Sequence, residues 1–172
     1  SSLFPTSIGP FQTNQPLIDA FVSNFDPNGI PNWSTYYGGS GNDRGYGISV
    51  DNSLGKVYFV GTVSGSLPLF TLGGNGYYQT TSNPGASFIA RLNTSSGIPD
   101  WSTYFSSIDT RINSIAVSNA GDVFITGNML NLTGGSPPCT APSNGGFPLC
   151  NPGGGAFFKP YHSGGSTFFY DG

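Results

Sequence analysis

The chain has 172 residues, the length of one domain, and such a domain can bury roughly 70% of its unfolded surface. Only 8% of the residues are charged, against about 25% in an average globular protein, and the net charge is −3 with five Lys and Arg residues. So few cations leave no basic surface for nucleic acid or an anionic membrane, and we expect neither as a partner. No apolar run approaches the ~20 residues of a membrane helix, so we expect no membrane insertion.

The N-terminal region predicts a connecting segment followed by a β-hairpin. Residues 1–17 are polar and interrupted by prolines, and we interpret them as a connection that ends a preceding repeat. Residues 20–25 have the pattern of a half-buried strand, with Phe21, Ser23 and Phe25 on one face and Val22 on the other. The turn sequence Asp26-Pro27-Asn28-Gly29 then returns the chain along a second strand, from Trp33 to Tyr37.

The rest of the chain predicts a second hairpin and then a repeat of both. Residues 46–63 form the second hairpin, about a loop that starts at Asp51. The segment Trp33-Ser34-Thr35-Tyr36 recurs as Trp101-Ser102-Thr103-Tyr104, an offset of 68 residues (from 33 to 101), and both copies follow Gly-Ile-Pro. Hairpins at residues 88–105 and 111–128 therefore repeat the first two, and a degraded fifth hairpin is predicted at residues 156–170.

These hairpins predict an all-β fold of β-propeller-type blades with four antiparallel strands each. No segment shows a sustained helical apolar period, so we expect no substantial helix. A four-stranded sheet has two apolar faces, which neighbouring sheets must cover. The chain would hold about two and a half blades: a connecting segment at 1–17, a half blade at 18–45, a complete blade at 46–105, and a second blade at 106–172 with a long Cys-containing loop at 129–155.

The first copy of the repeat carries a long and specific pattern. It includes Asp19-Ala20-Phe21-Val22, the run from Trp33 to Asp43, Gly47-Ile48-Ser49-Val50-Asp51 and Gly55-Lys56-Val57-Tyr58. This pattern resembles the SBBP-type β-propeller repeat, found in tandem in large secreted or cell-surface bacterial proteins. The resemblance covers most of residues 17–128 and implies a propeller-type module with an extracytoplasmic, non-catalytic role. The second copy departs from the pattern, because Ser106-Ser107-Ile108-Asp109 replaces the glycine-rich corner.

The third long connection holds the candidate covalent modifications. Cys139 and Cys150 flank a Pro/Gly-rich segment, and a disulfide between them would add roughly 3 kcal/mol and require an oxidising compartment. Two free thiols are the alternative, as is half of a metal site with His162. The spacing is not that of a zinc site, so we predict no metal and no cofactor. Asn131 begins an Asn-Leu-Thr sequon and is a candidate glycosylation site.

The recurring aromatic residues predict a packing role. Trp33, Tyr36, Trp101 and Tyr104 occupy the same repeat positions, and we interpret them as the repeat core that packs one blade on the next. An exposed surface for stacking sugars is the alternative. The carboxylates are all Asp, mostly at turns, where capping is their ordinary role, and Asp43 with Arg44 is interpreted as a local ion pair, with a functional charge as the alternative. We predict no catalytic residue.

The sequence as a whole predicts a non-catalytic structural or adhesive module of an exported or cell-surface protein. Known propellers have about four to eight blades, so we expect the chain to be a portion of a larger polypeptide. Its partners would be other blades of that polypeptide or other protein subunits. The alternatives are a carbohydrate-binding module with glycans as partners, and a subunit of an extracellular filament assembled by strand complementation.

Overall fold

The computed structural model describes residues 10–13, 17–71, 78–81, 85–105 and 110–129 of the chain. These residues contain eight β-strands and no helix. The strands are β1 (Ala20–Phe25), β2 (Pro31–Tyr37), β3 (Arg44–Asp51), β4 (Lys56–Val63), β5 (Ala86–Asn93), β6 (Pro99–Phe105), β7 (Thr110–Val117) and β8 (Val123–Met129). The strands pair in sequence as four hairpins, which confirms the four hairpins predicted between residues 20 and 128.

Local side-chain hydrogen bonds explain why the first hairpin turns where it does. Asp26 Oδ1 accepts hydrogen bonds from the backbone N–H groups of Asn28 (2.9 Å) and Ile30 (2.7 Å). Gly29 takes the left-handed backbone conformation that the turn requires, with φ of 80°. The hydrogen bond from Ile30 is the main reason that the pKa of Asp26 lies below its ordinary value. Asp26 therefore has the capping role predicted from the sequence.

The strands form three antiparallel sheets. The first sheet is β1–β2, the central sheet has the order β3-β4-β5-β6, and the third sheet is β7–β8. In the central sheet, β4 pairs with β5 from Lys56 opposite Asn93 to Val63 opposite Ala86. This pairing joins the second hairpin of one repeat to the first hairpin of the next. The predicted all-β class without substantial helix is confirmed for the described residues.

Apolar residues on both faces of the central sheet pack against the neighbouring sheets. One apolar cluster lies between the first and central sheets, and a second lies between the central and third sheets. The first cluster includes Val22, Trp33, Tyr37, Val57, Phe59, Phe88 and Leu92; the second includes Tyr58, Val60, Ile89, Ile112, Ile115, Val123 and Ile125. Alternate residues of β4 and β5 thus enter opposite clusters, as the pleat of a strand requires.

Two connecting segments contact the Trp-containing strands in the same way. The N–H of Gln12 donates to Thr35 Oγ1 (3.0 Å), and the N–H of Gln79 donates to Thr103 Oγ1 (2.8 Å). Each glutamine carbonyl in turn accepts a backbone N–H from the tyrosine that follows that threonine. The segment at Gln12 is therefore the structural counterpart of the one at Gln79.

Several predictions fall outside the described residues. These are the hairpin at residues 156–170, most of the loop at 129–155, Cys139, Cys150, Asn131 and His162.

A core substitution tests how strongly the first and central sheets depend on each other. Phe88 is fully buried, with its ring 5.5 Å from that of Tyr37 and 5.3 Å from that of Phe59. We expect Phe88→Ala to lower the free energy of unfolding by about 3–5 kcal/mol in chemical denaturation. Ile98→Ala is the control, because Ile98 is 52% exposed, and it should change that free energy by less than about 0.5 kcal/mol. Equal effects of the two substitutions would contradict the packing described here.

Candidate interaction surface

Trp33 fastens the first sheet to a turn of the central sheet. Its side chain is 4% exposed, and its indole N–H donates to the carbonyl oxygen of Thr94 (2.7 Å). The six-membered ring lies against Gly97, where an added Cβ would come 2.5 Å from Trp33 Cε3. Gly97 also has a φ of 69°, so both the close approach and the backbone conformation require glycine.

The other predicted repeat-core aromatics also pack against protein. Tyr104 is buried, and its hydroxyl accepts the N–H of Leu67 (2.8 Å). Tyr36 and Trp101 are half-buried, and Trp101 packs against the cluster between the central and third sheets. Trp33 and Tyr104 therefore present no free ring face to a sugar.

Asp43 connects two loops at the corner between β2 and β3. It is fully buried, and its carboxylate accepts the N–H groups of Gly39 (2.7 Å) and Ser64 (3.3 Å). Burial raises the pKa of Asp43, and the neighbouring charge of Asp19 acts in the same direction. The predicted ion pair with Arg44 is wrong, because backbone amides bind the carboxylate and Arg44 points into solvent as an exposed side chain.

A cluster of three charges lies across the central sheet, and it was not predicted. Asp100 on β6 accepts hydrogen bonds from Lys56 Nζ (2.5 Å) and from Arg91 Nε (2.7 Å). Burial opposes the charged form of Asp100, but the bonds from Arg91 and Lys56 outweigh it and hold the pKa of that carboxyl below its ordinary value. The sequence contains a signal for this cluster, because three of the few charged residues in the chain lie on the successive strands β4, β5 and β6.

The described residues offer little to bind a metal. Within residues 10–13, 17–71, 78–81, 85–105 and 110–129, no group of three or more His, Cys, Asp or Glu side chains is placed to hold an ion. Asp51 accepts three hydrogen bonds within its own turn, from the N–H and hydroxyl of Ser53 and from the N–H of Leu54. Like Asp26, it caps a turn.

Exposed apolar side chains lie on β1 of the first sheet and on β3 of the central sheet. Within the described part of the chain, β1 pairs only with β2, whereas its repeat counterpart β5 pairs on both sides. Phe21 and Phe25 on β1 are 56% and 59% exposed, and Ile48 and Val50 on β3 are 55% and 48% exposed. Exposed apolar patches of this kind are typical of protein interaction sites. We call these four residues the open side.

The open side differs sharply from the same positions one repeat later. Phe88 and Leu92, the counterparts of Phe21 and Phe25, are fully buried by the first sheet. Ile115, the counterpart of Ile48, is 7% exposed because the third sheet packs on the central sheet. Apolar residues at the same repeat positions are therefore buried in one repeat and exposed in the other.

Comparison with known protein families matches no family model, and comparison with curated proteins finds no significant match. No helix long and apolar enough to cross a membrane occurs among the described residues.

The charge cluster generates a prediction about pH. Because the pKa of Asp100 is lower in the folded protein than in the unfolded chain, its stabilisation is present at neutral pH. It is lost as the pH falls below about 4 and through the folded pKa. We expect Asp100→Asn to cost about 1 kcal/mol at pH 7 and much less at pH 3, measured by denaturant titration at both pH values.

Asp122→Asn is the matched control for that titration. Asp122 accepts a hydrogen bond from the hydroxyl of Ser118 (3.3 Å) and makes no ion pair. A cost of Asp100→Asn that did not shrink in acid would contradict the assigned role of the Lys56 and Arg91 contacts.

Proposed function

We propose that this chain is a non-catalytic structural and adhesive module of an exported or cell-surface protein, built from β-propeller-type blades. The observation that carries the proposal is the central sheet. It has four antiparallel strands, takes its two hairpins from consecutive repeats, and packs against another sheet on each face. A blade inside a propeller has these three properties.

The stacking of the sheets follows one rule along the chain, which supports a repeating array. Val22 on β1 faces the central sheet, and its counterpart Ile89 on β5 faces the third sheet. Trp33 likewise packs forward onto the central sheet, and Trp101 packs forward toward the third. Each sheet thus offers the same positions to the sheet that follows it, an arrangement that further repeats could continue in both directions.

The polar chemistry of the described residues supports a scaffold role. Asp26 and Asp51 cap turns, Asp43 links two loops, and Asp100 holds two cations of its own sheet. Each of these carboxylates has a structural task that uses its charge or its lone pairs.

The exported location rests on two features of the sequence. The first copy of the repeat resembles the SBBP-type repeat of secreted and cell-surface proteins, and the pair Cys139 and Cys150 is suited to a disulfide. The adhesive role rests on the open side, whose exposed apolar residues fit a protein partner better than a small ligand.

Cell fractionation of the source organism tests this proposal. An antibody raised against the purified chain should label intact cells or the culture medium, and external protease should remove the label without lysis. Thiol-reactive labelling of the native protein should leave Cys139 and Cys150 unmodified until a reductant is added. A signal confined to the cytoplasm, together with two reactive thiols, would overturn the proposal.

A further inference from the structure

We propose that Asn28 is a site of spontaneous covalent modification, at which its side-chain amide is converted to an acid through a cyclic imide formed with the backbone of Gly29. The inference goes beyond the proposed function and does not depend on it. Asparagine reacts in this way when the backbone nitrogen of the next residue attacks its side-chain carbonyl carbon, and glycine in that next position hinders the attack least. Asn28-Gly29 is the one Asn-Gly pair among the residues that the structure describes.

The reaction needs no reagent other than water. The deprotonated backbone nitrogen of Gly29 forms a bond to Cγ of Asn28, and the Cγ–Nδ2 bond breaks as Nδ2 takes up a proton and leaves as ammonia. The product is a cyclic imide in the main chain. Water then adds to one of the imide carbonyl carbons and breaks its bond to nitrogen. The outcome is either aspartate or isoaspartate, in which the main chain runs through Cβ and Cγ.

The β1–β2 turn leaves room for this chemistry. Asn28 and Gly29 are exposed, and no atom beyond the chain neighbours of Gly29 lies within 4 Å of the point where its Cβ would stand. Water can therefore reach the imide, and ammonia can leave. In the next repeat the counterpart of Gly29 is Gly97, which follows a serine and lies against the ring of Trp33. Of these two turns, only the first holds both reacting groups at the surface.

Asp26 restrains both reacting groups while the turn is closed. The N–H of Gly29, whose nitrogen must attack, donates to the carbonyl oxygen of Asp26 (3.0 Å). The backbone N–H of Asn28 donates to Asp26 Oδ1 (2.9 Å), and the side-chain amide of Asn28 donates to Asp26 Oδ2 (3.4 Å). A nitrogen whose proton is held in a hydrogen bond is a poor nucleophile, so the turn must open before Gly29 attacks. Asp26 is therefore a positioning residue that sets how often the reactive geometry forms.

Opening of this turn does not require the first sheet to unfold. The hydrogen bonds that shape the turn run between Asp26 and residues 28–30, and the strand register is already irregular between Asn24 and Phe25. Beyond the turn, the indole of Trp33 still holds β2 to the carbonyl oxygen of Thr94. Exposed turns open locally far more often than buried strands do. The modification can therefore proceed in the folded protein, at a rate set by the turn.

Both products disturb the turn in which they form. Aspartate at position 28 replaces the amide donor by a carboxylate oxygen, which faces the carboxylate of Asp26 where Nδ2 now donates across 3.4 Å. Like charges at this distance repel each other. Isoaspartate adds a backbone carbon before Gly29 and so moves the N–H groups of Gly29 and Ile30 away from the oxygens of Asp26 that accept them. The β1–β2 hairpin thus becomes less stable as the protein ages.

Peptide mapping of the full 172-residue protein tests the inference. The protein is incubated in mildly alkaline buffer, both folded and in urea, and is digested with a protease at intervals. Fragmentation in the mass spectrometer assigns the acid to a residue, and isoaspartate methyltransferase labels the isoaspartate. We expect both products at position 28 in the folded protein, and faster formation in urea. Asn119 is the internal control, because it is exposed in the β7–β8 turn but precedes alanine and should react much more slowly.

Asp26→Ala tests the restraint that the turn imposes. Loss of the side-chain acceptor favours the open turn, so the acid should form about fivefold faster in the folded variant than in the unmodified protein. This factor corresponds to ~1 kcal/mol for one lost hydrogen bond. Asp26→Ser is the matched control, because a serine hydroxyl also caps turns and should keep the rate close to that of the unmodified protein. In urea the three chains should react at the same rate.

Hydrogen exchange at the amide of Gly29 measures the opening of the turn without any substitution. The factor by which folding slows the reaction at Asn28 should equal the protection of this amide, and circular dichroism shows whether each variant is folded. Absence of acid at position 28 after Asn119 has reacted would overturn the inference. Equal rates in folded Asp26→Ala and the unmodified protein would do the same, as would a mismatch between the slowing and the protection.

Discussion

The constraint on which the whole structure depends is that a four-stranded sheet has two apolar faces and can cover neither by itself. The central sheet satisfies this constraint with neighbours on both sides: Val22 and Trp33 press on one face, and Ile112 and Ile125 on the other. Because apolar burial is the main favourable term in folding, no sheet of this chain is an independent unit. A sheet with one covered face, such as the first sheet, keeps exposed phenylalanines at the positions that its neighbour buries.

Close contact between sheets also explains the unusual composition. A chain with 27 glycines and 8% charged residues would suggest a lack of stable structure if composition alone were considered. The glycines at 61 and 97 instead mark points where an aromatic ring approaches the backbone, and a side chain there would collide with Phe88 or Trp33. The small number of charged residues has the same cause, because a sheet face that packs on another sheet has no water to solvate a charged side chain.

Much of the fold could be predicted from the sequence, because the strand pattern and turn chemistry are local. The residue pattern from Ala20 to Phe25 and the Asp26 turn predicted the first hairpin. The recurrence of Trp33 as Trp101 predicted the equivalent hairpin in the next repeat. A propeller with more sheets than the three in the described residues stays a prediction. The exposed apolar surface could not be predicted from the sequence, because the exposure of Phe21 depends on which sheets pack against it and not on its own identity. The predicted ion pair of Asp43 with Arg44 was wrong for a related reason. The two residues are adjacent in sequence but differ in environment, because Asp43 is buried against a loop 21 residues away, whose Ser64 N–H it binds.

The pairing of β4 with β5 has a consequence for how such a chain can change in length. Because the boundary between repeats lies inside the central sheet, that sheet joins the second hairpin of one repeat to the first hairpin of the next. Adding or removing one whole repeat therefore exchanges one half-sheet for an equivalent half-sheet, and each strand can still pair with a matching neighbour. The number of repeats can therefore change without leaving an incomplete sheet. Adding or removing only part of a repeat would instead leave a single hairpin without the hairpin that completes its sheet.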